Sequence, residues 1–267
     1  MQRSLAFVWL KIFPRTFKLK NATMKRIIIP SLYLLLLSCS DSNNNSIMTP
    51  PVDSFENSGN VFFESGICKC PNASVGDQDK IEGTVYTAVN NNTIKAQLDR
   101  GNINLCTTLV TNMSGTTNPL ANFFNNNSFN ANIGFWDVSN VTNMDGMFFN
   151  ATNFNQDISQ WDVSQVDNMG SLFKNASSFD QDISGWNTGK VTKMLDLFAQ
   201  ASKFNQDISG WNTSKATTMD GMFREAQLFN QDLSGWCVQN ISSLPDNFAS
   251  DSGLSEANYP AWGNCPN

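Results

Sequence analysis

The stretch that decides the fold is Trp136 to Trp161, WDVSNVTNMDGMFFNATNFNQDISQW. It returns to its starting residue after 25 positions. Phe129, Phe154, Phe179, Phe204 and Phe229 keep that spacing, as do Trp136, Trp161, Trp186, Trp211 and Trp236. Ile133, Ile158, Ile183 and Ile208 continue to Leu233; Met144, Met169, Met194 and Met219 continue to Leu244. Phe148, Phe173, Phe198, Phe223 and Phe248 form a further column, and Ala151, Ala176, Ala201 and Ala226 a small one. A fixed period of 20–50 residues is the signature of a repeat architecture. The apolar positions are too sparse for one helix or one long strand. They suit one coil of a solenoid, with a short strand near 141–144, a turn of helix near Met147-Phe148, and a polar corner. One coil cannot bury its Phe, Ile, Trp and Met side chains alone, whereas stacked copies can. Each column then becomes a ladder with a spacing of about 4.8 Å.

The fold class read from the sequence is therefore an α/β solenoid, with leucine-rich-repeat-like coils and a cap at each end. The coils occupy 110–236, with caps at 55–109 and 237–267. An earlier, degenerate coil begins at Val110-Thr111-Asn112-Met113, which matches Val141-Thr142-Asn143-Met144. Met113 stands 16 residues before Phe129, whereas Met144 stands 10 before Phe154, so a six-residue insertion falls in 115–127. Such an insertion emerges as a loop on one face. In the N-terminal cap, 84–89 reads as a strand, Asn90-Asn91-Asn92 as a turn, and 93–98 as a short helix ended by Gly101.

Upstream, Met24 opens MKRIIIPSLYLLLLSCS. Lys25 and Arg26 supply a positive n-region, and 27–37 is an apolar run too short to span a bilayer. Leu36-Leu37-Ser38-Cys39 resembles a bacterial lipobox, in which the cysteine is lipidated after cleavage. We expect 24–38 to be a lipoprotein signal peptide, Cys39 the lipidation site and 39–54 an Asn/Ser-rich tether that does not order itself. Residues 1–23 are expected to be an upstream extension of the reading frame, with a long n-region as the alternative. The competing reading is an ordinary cleaved signal that ends in Cys.

Charge supports this division. Residues 1–38 hold seven of the 17 basic side chains and no acid, which leaves 10 basic against 23 acidic and a net charge of −13 beyond them. Such a body repels nucleic-acid phosphates. The chain has no His, which removes Ser-His-Asp and Cys-His hydrolase chemistry and imidazole–metal sites. Hydrophobic residues make up 40% of the chain, enough for a core.

The WDVSNVTNMDGMFFNATNFNQDIS run resembles the repeat of bacterial surface proteins of the DUF285-type, BspA-like leucine-rich-repeat family, over about 110–250. The segments Cys70-Pro71-Asn72 to Cys106-Thr107-Thr108-Leu109-Val110-Thr111 and Pro260-Ala261-Trp262-Gly263-Asn264-Cys265-Pro266 resemble that family's usual flanking modules. The resemblance implies a surface-exposed, often lipid-anchored protein, with adhesion to host proteins or other cells as a role of some members. The insertion and the extra Cys68 depart from it. Chain proximity and the resemblance together favour disulfides Cys70–Cys106 and Cys237–Cys265, with Cys68–Cys106 as the alternative.

Candidate chemistry lies in polar ladders. Asp157, Asp182, Asp207 and Asp232 recur beside Gln156, Gln181, Gln206 and Gln231, and beside Asn155, Asp180, Asn205 and Asn230. Paired carboxylates about 5 Å apart would suit a retaining glycosidase. A pair present in every repeat reads better as satisfaction of backbone groups at the corners. Calcium shared between coils is a weaker reading, and Asp77, Asp79 and Glu82 fail the spacing of a calcium loop. The Trp column reads as core before carbohydrate platform. The expectation is a non-enzyme with no cofactor, metal or nucleic-acid partner. It meets a membrane through its lipid and binds a host or cell-surface protein or glycan. The alternatives are a structural envelope protein without a dedicated ligand and a carbohydrate-active enzyme using the Asp ladder.

Overall fold

The structure is a computed structural model that describes residues 57–115 and 128–266. The signal segment, Cys39, the tether and most of the 115–127 loop lie outside the described residues.

The N-terminal region is built from short strands. Strand β1 (Phe62–Glu64) pairs antiparallel with β2 (Ile67–Lys69) through Ser65-Gly66, and β3 (Gln78–Ile81) pairs with β4 (Thr84–Asn90) through Glu82-Gly83. All four turn residues have positive φ, between 49° and 84°. That is the two-residue turn whose twist matches the flanking strands, and Gly at its second position carries the left-handed backbone without strain. Helix α1 (Ile94–Asp99) then crosses over to β5 (Leu105–Leu109), which lies parallel to β4. The expected strand at 84–89 and helix at 93–98 are thus β4 and α1. Gly101 follows with φ 77°.

From Val110 onward the 25-residue units bond directly to one another. The amides of Met113, Met144, Met169 and Met194 donate to the carbonyls of Asn143, Asn168, Lys193 and Thr218 at 2.9–3.0 Å. Those of Thr142, Asp167, Thr192 and Thr217 donate back to Thr111, Thr142, Asp167 and Thr192 at 2.8–2.9 Å. The degenerate unit at Val110 is therefore bonded as a true first member. Each adjoining pair of units shares a single parallel bridge here, running through Asn112, Asn143, Asn168, Lys193 and Thr218. The strand expected at 141–144 is shorter than the sequence suggested, and the helical turn near Met147-Phe148 is a run of tight turns.

The reason is backbone handedness. Gly146, Ser171, Asp196 and Gly221 have φ of 50–64°, and Asn150, Asn175, Gln200 and Glu225 have φ of 58–62°. Two left-handed residues per unit prevent both a continuing pleat and a helix. Between them, alternate amides still reach the next unit: Phe148 to Leu172, Phe173 to Leu197 and Phe198 to Met222, each at 2.9 Å. The intervening amides close local turns, as Met147 does onto Met144 at 3.1 Å.

Of the repeat columns named from the sequence, every member but Leu244 is buried. Phe154, Ile158, Met169, Phe173, Phe179, Ile183, Met194, Phe198, Phe204, Ile208, Met219 and Phe223 are fully enclosed, and Trp161, Trp186 and Trp211 expose at most 4%. Successive rings lie nearly parallel, with centroids 5.5 Å apart for Phe148 and Phe173 and 5.6 Å for Phe173 and Phe198. A second column interleaves with the first: Phe173 and Phe179 are 4.0 Å apart, as are Phe198 and Phe204. Full burial of such a side chain contributes about 1.5–3 kcal/mol.

The final unit slips by one residue. Phe198 donates to Met222, 24 residues on, but Phe223 donates to Phe248, 25 residues on. The left-handed positions shift likewise, to Asn247 and Asp251. The slip arises between residues 241 and 247, around Pro245, whose missing N–H cannot enter the ladder. Leu244 therefore does not close the Met column but is exposed. Phe248 turns edge-on to Phe223, at 89°, and packs edge-on against Tyr259 and Trp262. A disulfide joins Cys237 to Cys265 across this end.

Candidate binding surface and cysteine cluster

The polar columns are occupied by the architecture itself. Asn155 Oδ1 accepts the Asp180 amide at 2.9 Å and Gln181 Nε2 at 3.0 Å. Asp180 Oδ1 accepts the Asn205 amide and Gln206 Nε2, and Asn205 Oδ1 accepts the Asn230 amide and Gln231 Nε2. The Asp column works within one corner instead. Asp157, Asp182, Asp207 and Asp232 each accept the amide two residues on, from Ser159, Ser184, Ser209 and Ser234, at 2.9 Å. Bonds from those serines hold all four carboxyls below the usual carboxylate range. A glycosidase pair needs one carboxyl that keeps its proton, and none in this column does so. Among the described residues no three His, Cys, Asp or Glu side chains are placed to hold a metal ion. The Asp79 carboxylate accepts the Gly59 and Val61 amides at 2.8 and 2.7 Å and the Ser58 hydroxyl at 2.9 Å. Burial opposes its ionisation, yet these donors keep its carboxyl below the ordinary range.

The repeat pattern breaks where the first unit meets the β1–β2 hairpin. Phe135 stands where later units carry Gln160, Gly185, Gly210 and Gly235, and Gly134 where they carry serine. Phe63, Tyr86 and Phe135 form an aromatic triad, with centroids 5.0 Å (Phe63–Tyr86), 6.1 Å (Phe63–Phe135) and 5.7 Å (Tyr86–Phe135) apart. Gly134 is required there: a Cβ on it would lie 2.5 Å from the Asp157 carbonyl oxygen. Beside the triad is a cleft of about 280 Å³ lined by Ser65, Gly66, Ile67, Asn132, Gly134, Phe135, Asp157 and Gln160. A second, of about 330 Å³, is lined by Phe63, Ile81, Glu82, Thr84 and Tyr86. Phe62 and Phe63 expose 43% and 37% of their surface. An aromatic face rimmed by amide and carboxylate groups suits a sugar or a polar peptide. The departures at 134, 135 and 160 were legible once the units are aligned.

Asp137 is a residue that sequence reading missed. It is buried, and its carboxylate accepts Lys69 Nζ at 3.0 Å, Thr108 Oγ1 at 2.7 Å and Ser139 Oγ at 2.7 Å. Burial opposes its ionisation, but these donors outweigh it and hold the carboxyl below the usual range. The same column holds Asp162, which is exposed, so only packing under the hairpin distinguishes Asp137.

Of the disulfides expected, Cys237–Cys265 is formed. The Cys70–Cys106 bridge is not: Cys68, Cys70 and Cys106 are three buried thiols. They lie together because Cys68 is in β2, Cys70 follows directly after it and Cys106 lies on β5. Hydrogen bonding with Cys106 and burial push the Cys70 thiol up, and hydrogen bonding with Cys68 together with burial does the same to Cys106.

No curated protein and no solved structure matches the chain. A family model does, described as "Mycoplasma protein of unknown function, DUF285", over residues 87–189 and 156–262. Those overlapping segments cover β5, the inter-unit ladder and the terminal slip, about two thirds of the chain. With more than half of its length matched, the chain belongs to the DUF285 family.

Proposed function

We propose that this chain is a lipid-anchored bacterial surface protein whose 25-residue units form a leucine-rich-repeat-like α/β solenoid that binds a protein or glycan. In this reading Cys39 carries the lipid, 39–54 tethers the body, and no step of catalysis occurs. The observation that carries the reading is the break in the repeat at Phe135 and Gln160, beside exposed aromatic rings and a cleft of about 280 Å³. Elsewhere each column serves the stack: the Trp rings are core, and the Asn, Gln and Asp side chains bond to their own or neighbouring units. The ionised Asp column argues against the hydrolase alternative.

The test is binding of the full chain to arrays of glycans and host proteins, with Phe63→Ala and Gln160→Gly as variants. Gln160→Gly restores the residue of later units and leaves the stack undisturbed. Binding weakened roughly tenfold by either variant supports the proposal, since such a contact is worth about 1.4 kcal/mol. Binding unchanged by both places the ligand elsewhere. Absence of any binding favours a structural envelope protein.

A further inference from the structure

The three buried thiols have an unequal geometry. Cys68 in β2 and Cys70 just beyond its end are two positions apart, and burial alternates from Ile67 to Cys70, so both side chains fall on the same buried face. Each is anchored separately. The Cys68 amide donates to Phe135 O at 2.8 Å, and the Cys70 amide donates to Thr108 Oγ1 at 3.0 Å. Thr108 is in turn tied to Asp137, and Asp137 to Lys69. Cys106 faces both: its Sγ donates to the Cys68 carbonyl at 3.0 Å, and it packs with Cys68 and Cys70 in one buried cluster. Two thiols thus share one partner sulfur, and one thiol remains over after any bridge closes.

We propose that Cys68, Cys70 and Cys106 form a disulfide-exchange site, in which a single bridge from Cys106 closes to either Cys70 or Cys68. A low-molecular-weight disulfide, RSSR, is the oxidant. The Cys106 thiolate attacks one sulfur and releases RS⁻; the thiolate of Cys70 or Cys68 then attacks the Cys106 sulfur of the mixed disulfide and releases the second RS⁻. Two protein thiols and RSSR become one protein disulfide and two RSH, the released thiolates taking up the two protons lost. In exchange, the Cys68 thiolate attacks the Cys106 sulfur and expels Cys70, which takes up the proton; no electrons are gained or lost. Cys68 and Cys70 do not bridge each other, because neighbouring same-face residues on an extended strand are held apart by the backbone. Burial and the raised thiol pKa values make the reaction slow while the hairpin is closed. Strands β1 and β2 are only three residues long, so opening of this short hairpin sets the rate.

The experiment is alkylation and peptide mapping of the full chain after incubation with oxidised glutathione, with and without mild denaturant. The wild-type chain is expected to lose two thiols from this trio and to yield both Cys70–Cys106 and Cys68–Cys106 peptides, faster in denaturant. Cys70→Ser should yield Cys68–Cys106 alone, Cys68→Ser should yield Cys70–Cys106 alone, and Cys106→Ser should leave the other two alkylated. A single bridge isomer in the wild-type chain overturns the proposal without reference to any variant. So does a Cys68–Cys70 bridge, or a trio that retains three thiols.

Discussion

The indole Nε1–H of Trp186 donates to the carbonyl of Ile158, one unit earlier, at 3.2 Å. Trp211 and Trp236 repeat this onto Ile183 and Ile208 at 3.1 Å. Trp136 finds Ile103, in the cap. Trp161 breaks the series: its buried Nε1 has no partner among the described residues. Trp186→Phe is therefore expected to lose a bond and leave the Ile158 carbonyl with the Trp161 amide alone, whereas Trp161→Phe loses no bond. Chemical unfolding should show Trp186→Phe to be the more destabilising by about 1 kcal/mol.

Phe173 touches the rings of Phe148, Phe179, Trp186 and Phe198. Phe173→Ala opens a void in the middle of the stack and should cost about 3–5 kcal/mol. Phe248 meets its neighbours only edge-on at the end, so Phe248→Ala should cost less, because the free end relaxes. Urea denaturation of both variants, with equal m-values, checks the ranking.

Asp180 spans two units through one oxygen, which accepts both the Asn205 amide and Gln206 Nε2. Asp180→Ala removes both bonds and should cost about 1–2 kcal/mol, while Asp180→Asn keeps the acceptor and should stay within about 0.5 kcal/mol of wild type. Thermal melts of the pair separate the acceptor's role from that of its charge.

Asp137 couples the cap to pH. Its carboxyl is held below the ordinary value of 3.8, so the stabilisation is complete above that value. It is lost as pH falls from there towards the folded-state pKa, where the unfolded chain takes up a proton that the folded chain refuses. Asp137→Asn should be less stable than wild type at pH 7, and the difference should narrow below about pH 4. Unfolding free energies measured from pH 7 to pH 2.5 follow this directly.

The period of 25 placed the Phe, Trp, Ile and Met columns in the core because hydrophobic periodicity reports burial directly. It did not report how the chain turns. Ser171, Gln200 and Glu225 have left-handed backbones, yet none is a residue type that signals one; only Gly146, Gly221, Asn150, Asn175 and Asp196 gave a hint. The terminal slip was invisible because Phe248 keeps its place in sequence while Pro245 shifts its place in space. Asp137 looked like any member of its column, since its burial comes from Lys69 and Thr108, distant in sequence. The cysteine trio was legible as an odd count, but the shared position of Cys106 came only from β2 packing on β5.

The central claim is that the folded body is displayed outside the cell on a lipid anchor at Cys39. Its most direct test is labelling of intact cells with an antibody raised against residues 57–266. The account predicts labelling of intact cells that external protease removes and that Cys39→Ser abolishes. Labelling only after the envelope is broken would contradict it.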